Sequence, residues 1–184
     1  INLQTIPQFN TSNVTDMSYM FYNCINLQTI PLIDTSNVTN MEKMFYNCQN
    51  IQTIPQFNTS NVTDMDSMFI NCSNLQTIPL LNTSNVTHME EMFSHCGNLQ
   101  TIPSLDTSKV TDMSSMFYGC SSLVSLPALN AQSLNMNLDY SIFGWSDLPN
   151  LTDFGGFLNL KCSLTIKSLP NLTHQSCINV LNGL

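Results

Sequence analysis

The sequence predicts an α/β solenoid, and three observations carry that expectation. A 24-residue segment is repeated five times, eight of its columns are apolar or Cys in every copy, and turn-forming residues recur between them at fixed offsets. Asn2-Leu3-Gln4-Thr5-Ile6-Pro7 returns at Asn26, Asn50 (with Ile51 for Leu), Asn74 and Asn98. Each copy continues through Asn/Asp-Thr-Ser, Val-Thr, Met-x-x-Met-Phe and Cys. Self-similarity at such a period marks coils that stack on one another rather than a globule.

The elements follow in chain order. In the first copy the constant apolar columns are Leu3, Ile6, Phe9, Val14, Met17, Met20, Phe21 and Cys24. Leu3-Gln4-Thr5-Ile6 and Val14-Thr15-Asp16-Met17 are too short for helices and rich in β-branched residues, so they read as short strands or extended edges. Pro7 fixes the backbone after the first edge, and Asn10-Thr11-Ser12-Asn13 supplies turn chemistry. Met17, Met20, Phe21 and Cys24 lie at i, i+3, i+4 and i+7, the stripe of a two-turn helix that Thr15 or Asp16 would cap. Each coil is therefore expected to hold one short parallel strand and one short helix. A single coil buries too little apolar surface to offset the entropy of ordering it, so stability must come from stacking.

Residues 1–135 form the regular part, five full copies and a partial sixth from Ser122. Residues 136–184 read as diverged coils and a capping helix of the same solenoid. Tyr140, Phe143 and Trp145 stand where the next Met-Phe-Cys segment belongs, either as a cap or as a binding pocket around Trp145. Leu148-Pro149-Asn150-Leu151-Thr152 returns at Leu169-Pro170-Asn171-Leu172-Thr173. Thr173 would then cap a helix striped by Cys177, Val180, Leu181 and Leu184.

Composition narrows the partners. The chain has 184 residues, four Lys, no Arg and a net charge of −8. That balance is wrong for phosphate backbones and anionic membrane surfaces, so no nucleic acid is expected. No apolar run approaches the ~18–20 residues of a membrane span, so no direct membrane insertion is expected either. No signal peptide opens the chain. Ile1 lies in the frame of the repeat, and the chain reads as a piece of something longer, with end-to-end or assembly contacts open to its apolar first coil.

Two kinds of surface column stand out. Positions equivalent to Ser18, Tyr19, Tyr22 and Asn23 vary between copies and read as the outward side of the helix. Gln4, Gln28, Gln52, Gln76 and Gln100, beside Thr5, Thr29, Thr53, Thr77 and Thr101, are constant. A constant polar row is either a structural ladder of side chains or a repetitive binding surface. Under the second reading the ligand-binding candidates are Gln28, Thr29, Gln52, Thr53, Gln76 and Thr77, together with Trp145.

The stretch Asp106-Thr-Ser-Lys-Val-Thr-Asp-Met-Ser-Ser-Met-Phe-Tyr-Gly-Cys-Ser-Ser-Leu123 resembles the repeat of BspA-like leucine-rich-repeat proteins, found in bacterial surface proteins, mycoplasma lipoproteins, some protists and phage-borne genes. The resemblance covers residues 2–135 and rests on Met-Phe-x-x-Cys-x-x-Leu recurring on schedule. It implies a leucine-rich-repeat solenoid used for adhesion or ligand capture, with no catalytic residues to carry over. The short Ile-Pro segment departs from the common form.

Five of the seven Cys (Cys24, Cys48, Cys72, Cys96 and Cys120) lie in one apolar column and read as buried free thiols rather than disulfides. No C-x-x-C occurs, so a zinc site has no support. His88, Glu91 and His95 would share one flank of a helix, and Asp16, Asp64 and Asp112 form a row that capping explains without Ca²⁺. No metal and no cofactor are expected. Sequons at Asn10, Asn13, Asn37, Asn61, Asn85, Asn150 and Asn171 would crowd glycans on neighbouring coils, which favours a bacterial or phage origin. With no phosphate loop, nucleophile motif or carboxylate pair set in a pocket, an enzyme is not expected. The sequence points to a non-enzymatic recognition or adhesion module of a bacterial surface or secreted protein, extracellular or at the cell surface, binding a protein or glycan. The alternative is a spacer in a phage or surface fibre, a virion component.

Overall fold

The computed structural model of the chain describes residues 3–134, 148–159, 170–173 and 175–176. Trp145, Cys162, Cys177 and the stripe Val180, Leu181 and Leu184 lie outside them.

The repeats stack as the 24-residue period requires. Single parallel bridges join Thr5 to Thr29 and Thr101 to Ser125 on one edge. On the other, Asp16, Asn40, Asp64, His88 and Asp112 are bridged in succession. Longer pairings begin after the regular copies. Strand β1 (Ser125–Leu126) runs parallel to β3 (Asp153–Phe154), and β2 (Leu129–Asn130) to β4 (Phe157–Leu158). The Thr173 amide donates to the Thr152 carbonyl, and its hydroxyl accepts from the Ser176 amide at 3.2 Å, the geometry of a helix N-cap.

The apolar columns become a continuous core. Met41, Met44, Phe45, Cys48 and their counterparts in the next three coils are all but completely buried. Phe45, Phe69, Phe93 and Phe117 stack at centroid separations of 5.6, 5.6 and 5.8 Å. Five thiols are free and buried, as expected. Cys48, Cys72, Cys96 and Cys120 each donate to a Phe carbonyl of the preceding coil at 3.1 Å. Burial pushes Cys48 and Cys120 up to about 12, so neither is a nucleophile at neutral pH.

The expected helix is not a helix. Residues 17–24 and their counterparts form consecutive turns with the amides used alternately. The amides of Met20, Tyr22 and Cys24 close local turns on Met17, Tyr19 and Phe21. Those of Met17, Tyr19, Phe21 and Asn23 reach the carbonyls of Asn40, Glu42, Met44 and Tyr46 in the next coil. The same four bonds recur at the next three junctions. An α-helix would consume these groups internally and leave the coil unbonded to its neighbours on this side. The alternation demands left-handed backbone at two positions per coil: Tyr19, Lys43, Ser67, Glu91 and Ser115, then Asn23, Asn47, Asn71, His95 and Gly119.

The i, i+3, i+4, i+7 stripe arises equally from such turns, which place two residues in and two out. A second correction concerns the outward set. Ser67, Ile70 and Ser94 are buried between neighbouring coils rather than exposed.

Candidate functional site: the glutamine and threonine edge

The first extended edge is held by backbone bonds that leave its side chains unused. Gln28 N–H donates to the Gln4 carbonyl at 2.9 Å, Gln76 to Gln52 at 3.0 Å and Val124 to Gln100 at 2.8 Å. Leu75 and Ile78 face the core, so Gln76 and Thr77 between them are turned to solvent; Gln28, Thr29, Gln52 and Thr53 are exposed in the same way. The structure thus brings these six predicted residues together on one edge. Gln28, Thr29, Gln52 and Thr53 line, with Asn50 and Asn74, a depression of about 480 Å³.

The structural-ladder reading of this row fails on its own terms. The Gln28, Gln52 and Gln76 side chains bond to no protein atom among the described residues, and the Thr53 hydroxyl reaches only the neighbouring Ile54 carbonyl, at 3.5 Å. Ladders do exist, in other columns. Asn74 Nδ2 donates to Asn50 Oδ1 at 3.3 Å and Asn98 to Asn74 at 3.2 Å. Asn50 and Asn74, which line the depression, were legible as part of the constant column Asn2, Asn26, Asn50, Asn74 and Asn98. Nothing in their type sets them apart from the turn asparagines.

The remaining constant polar residues are structural. Thr35, Thr59, Thr83 and Thr107 are buried and donate to the Asn58, Asn82, Asp106 and Asn130 carbonyls of the next coil at 2.9 Å. Asn37, Asn61 and Asn85, each in a sequon, donate across coils to the Ser12, Ser36 and Ser60 carbonyls. Asp16, Asn40, Asp64 and Asp112 each accept the amide two residues on, so the row caps turns rather than helices.

His88 breaks that row. Its Nδ1 lies 2.9 Å from the Thr87 hydroxyl, and the Glu90 amide goes instead to the carboxylate of Asp66, one coil earlier, at 2.7 Å. Desolvation pushes Asp66 up to about 6, the Glu90 amide pulling the other way. No group of three His, Cys, Asp or Glu suited to a metal occurs among the described residues. The expected flank of His88, Glu91 and His95 assumed a helix; His88 instead stands in the bridge row, and Glu91 and His95 take left-handed backbone and donate to the Ser114 and Tyr118 carbonyls.

Parallel single-bridge coils, a Phe spine and short extended edges define the class: a leucine-rich-repeat solenoid. The chain is similar in structure to the crystal structure of a T. pallidum leucine-rich repeat protein, with a TM-score of 0.67 and 20% identity, over 97% of this chain and 81% of that one. A leucine-rich repeat protein from Bacteroides ovatus ATCC 8483 aligns at 15% identity over 86% of this chain and 55% of its own; its TM-score of 0.28 is too low to bear on the fold. No curated protein sequence matches the chain. The family described as Mycoplasma protein of unknown function, DUF285, matches residues 1–99 and again 45–141. The chain belongs to that family, and so to the BspA-like leucine-rich repeats.

Proposed function

We propose that this array is a non-enzymatic recognition module of a bacterial surface or secreted protein that binds a protein or glycan on the edge carrying Gln28, Thr29, Gln52, Thr53, Gln76 and Thr77. Residues 1–135 present that edge and residues 136–184 close the stack, with Trp145 a further contact. One observation carries the reading: a constant row of exposed amides and hydroxyls whose side chains, among the described residues, make no bond beyond the 3.5 Å contact of Thr53 with the Ile54 carbonyl, on a backbone hydrogen-bonded from coil to coil. A side chain with no structural duty has no folding reason to recur, whereas preorganised, unengaged donors and acceptors favour binding. Because the row is uncharged, affinity should change little with salt and should grow with the number of coils engaged. The test is the double change Gln52→Ala and Gln76→Ala, read by glycan and peptide binding panels. Binding should fall while the melting transition stays within ~1 kcal/mol. Undiminished binding would move the site off this edge.

A further inference from the structure

The strand edge does not end at the Gln and Thr row. After each Ile-Pro step comes an outward column whose residues alternate: Gln8, Leu32, Gln56, Leu80, then Ser104. Leu32 and Leu80 are 63% and 62% exposed, on interior coils where a neighbour stands on either side. The intervening glutamines are folded down. Gln8 Nε2 donates to the Leu32 carbonyl at 2.9 Å, and Gln56 Nε2 to the Leu80 carbonyl at 2.7 Å. The two leucines therefore stand as ridges two coils apart, and a depression of about 550 Å³ opens beside Leu80, with Gln56, Phe57 and Ser104 in its lining. Pro31, Pro55 and Pro79, half-buried, floor the strip between the leucine column and the free glutamines.

Period and charge together select an occupant. Adjacent parallel coils lie ~4.8 Å apart, so the ridges recur every ~9.6 Å along the solenoid. A polyproline II helix brings every third residue back to one face after ~9.3 Å. A β-strand repeats its face every ~6.7 Å, and an α-helix only after seven residues, ~10.5 Å. Polyproline II also leaves its backbone carbonyls without internal partners, which suits a flanking row of unengaged Gln amides. Residues 4–8 and their four counterparts contain no charged side chain in a chain of net charge −8. An uncharged ligand meets no repulsion there, and Asp106 at the rim is the one acidic residue in the larger depression.

We infer that this edge is built to hold an uncharged peptide segment in the polyproline II conformation, with an apolar residue at every third position seated against Leu32 and Leu80 and its carbonyls facing Gln28, Gln52 and Gln76. The inference rests on the strand edge being the binding face and adds the conformation and chemistry of what lies on it.

The test uses the whole chain and three probes: a synthetic peptide of Leu-Pro-Pro repeats, one of Leu-Pro-Pro-Pro repeats, which puts the leucines out of step, and a neutral chitooligosaccharide of similar length. Binding is followed on the Gln side-chain amide signals by NMR. The in-step peptide should shift the Gln52 and Gln76 amides and bind about tenfold tighter than the out-of-step peptide, with little effect of salt. Leu32→Ser with Leu80→Ser, both exposed and outside the core, should remove that preference without changing the melting transition. Equal binding of the two peptides, or a preference that survives the leucine changes, would overturn the inference. Oligosaccharide binding that Gln52→Ala and Gln76→Ala abolish, with neither peptide bound, would overturn it too while leaving the recognition edge standing. No shift of these amides by any probe at millimolar concentration would remove both.

Discussion

The two long edges of the solenoid reverse the usual relation between constancy and structure. On the strand edge the side chains are constant and structurally idle, as Gln28, Gln52 and Gln76 show. On the turn edge Tyr19, Lys43, Ser67, Glu91 and Ser115 have little in common, yet all take the same left-handed backbone, and the first four donate to the same carbonyl position of the next coil. There the main chain makes the ladder, and the side chain is free to vary because it is not the bonding group. Sequence variation on this edge marks a structural element, and constancy on the other marks a surface. In a repeat array a constant polar column serves stability only where its side chains are the bonding groups.

The contrast can be broken or sharpened by substitution. The largest effect is expected beneath the turn edge. Met68→Ala or Phe69→Ala should cost ~2–5 kcal/mol in denaturant melts, because each leaves a cavity sealed between two coils. Gln52→Ala on the strand edge should be near neutral, and matching losses at the two edges would show that the Gln row is structural after all.

An intermediate effect is expected where the turn edge needs its backbone. Gly119 has φ +73, and an added Cβ would lie 2.8 Å from His95 Nδ1. Gly119→Ala should cost ~1–3 kcal/mol, and the pairing Gly119→Ala with His95→Ala should recover the steric part of that loss. If thermal melts show no loss, left-handed geometry is not what the turn edge demands.

The smallest effect tests the one junction where a side chain replaces the usual cap. Burial raises Asp66 to about 6 in the folded chain, above its ordinary carboxylate value. Its contribution to stability is therefore greatest with the group protonated, and is lost as pH rises from ~4 through 6. Asp66→Asn keeps an acceptor for the Glu90 amide and removes the charge. It should stabilise the array at pH 7 by ~1 kcal/mol, once solvent screening of this half-exposed group is allowed for, and should flatten that part of the pH profile. Loss of stability at pH 7 would mean that the charged bond to Glu90 outweighs the desolvation.

Part of the turn geometry was open to a reader of the sequence. Asn23, Asn47, Asn71, His95 and Gly119 are residue types that tolerate positive φ, and a column of them argues against a continuing helix. The column Tyr19, Lys43, Ser67 and Glu91 carries no such mark, because there the conformation is imposed by the bonds to the next coil. The buried threonines at 35, 59, 83 and 107 looked like turn residues for a related reason: their partners lie 23 residues away.

The 24-residue period, the eight apolar columns and the buried thiols were determined by the sequence itself, since burial follows residue type and a repeat must stack in its own register. Which amides close turns and which reach the next coil was decided by the tertiary structure alone. A stripe at 17, 20, 21 and 24 serves a short helix and a run of turns equally well, and only the run of turns leaves donors free for the neighbouring coil. For the same reason the idle Gln row could not be told from a ladder until every hydrogen bond around it had been placed.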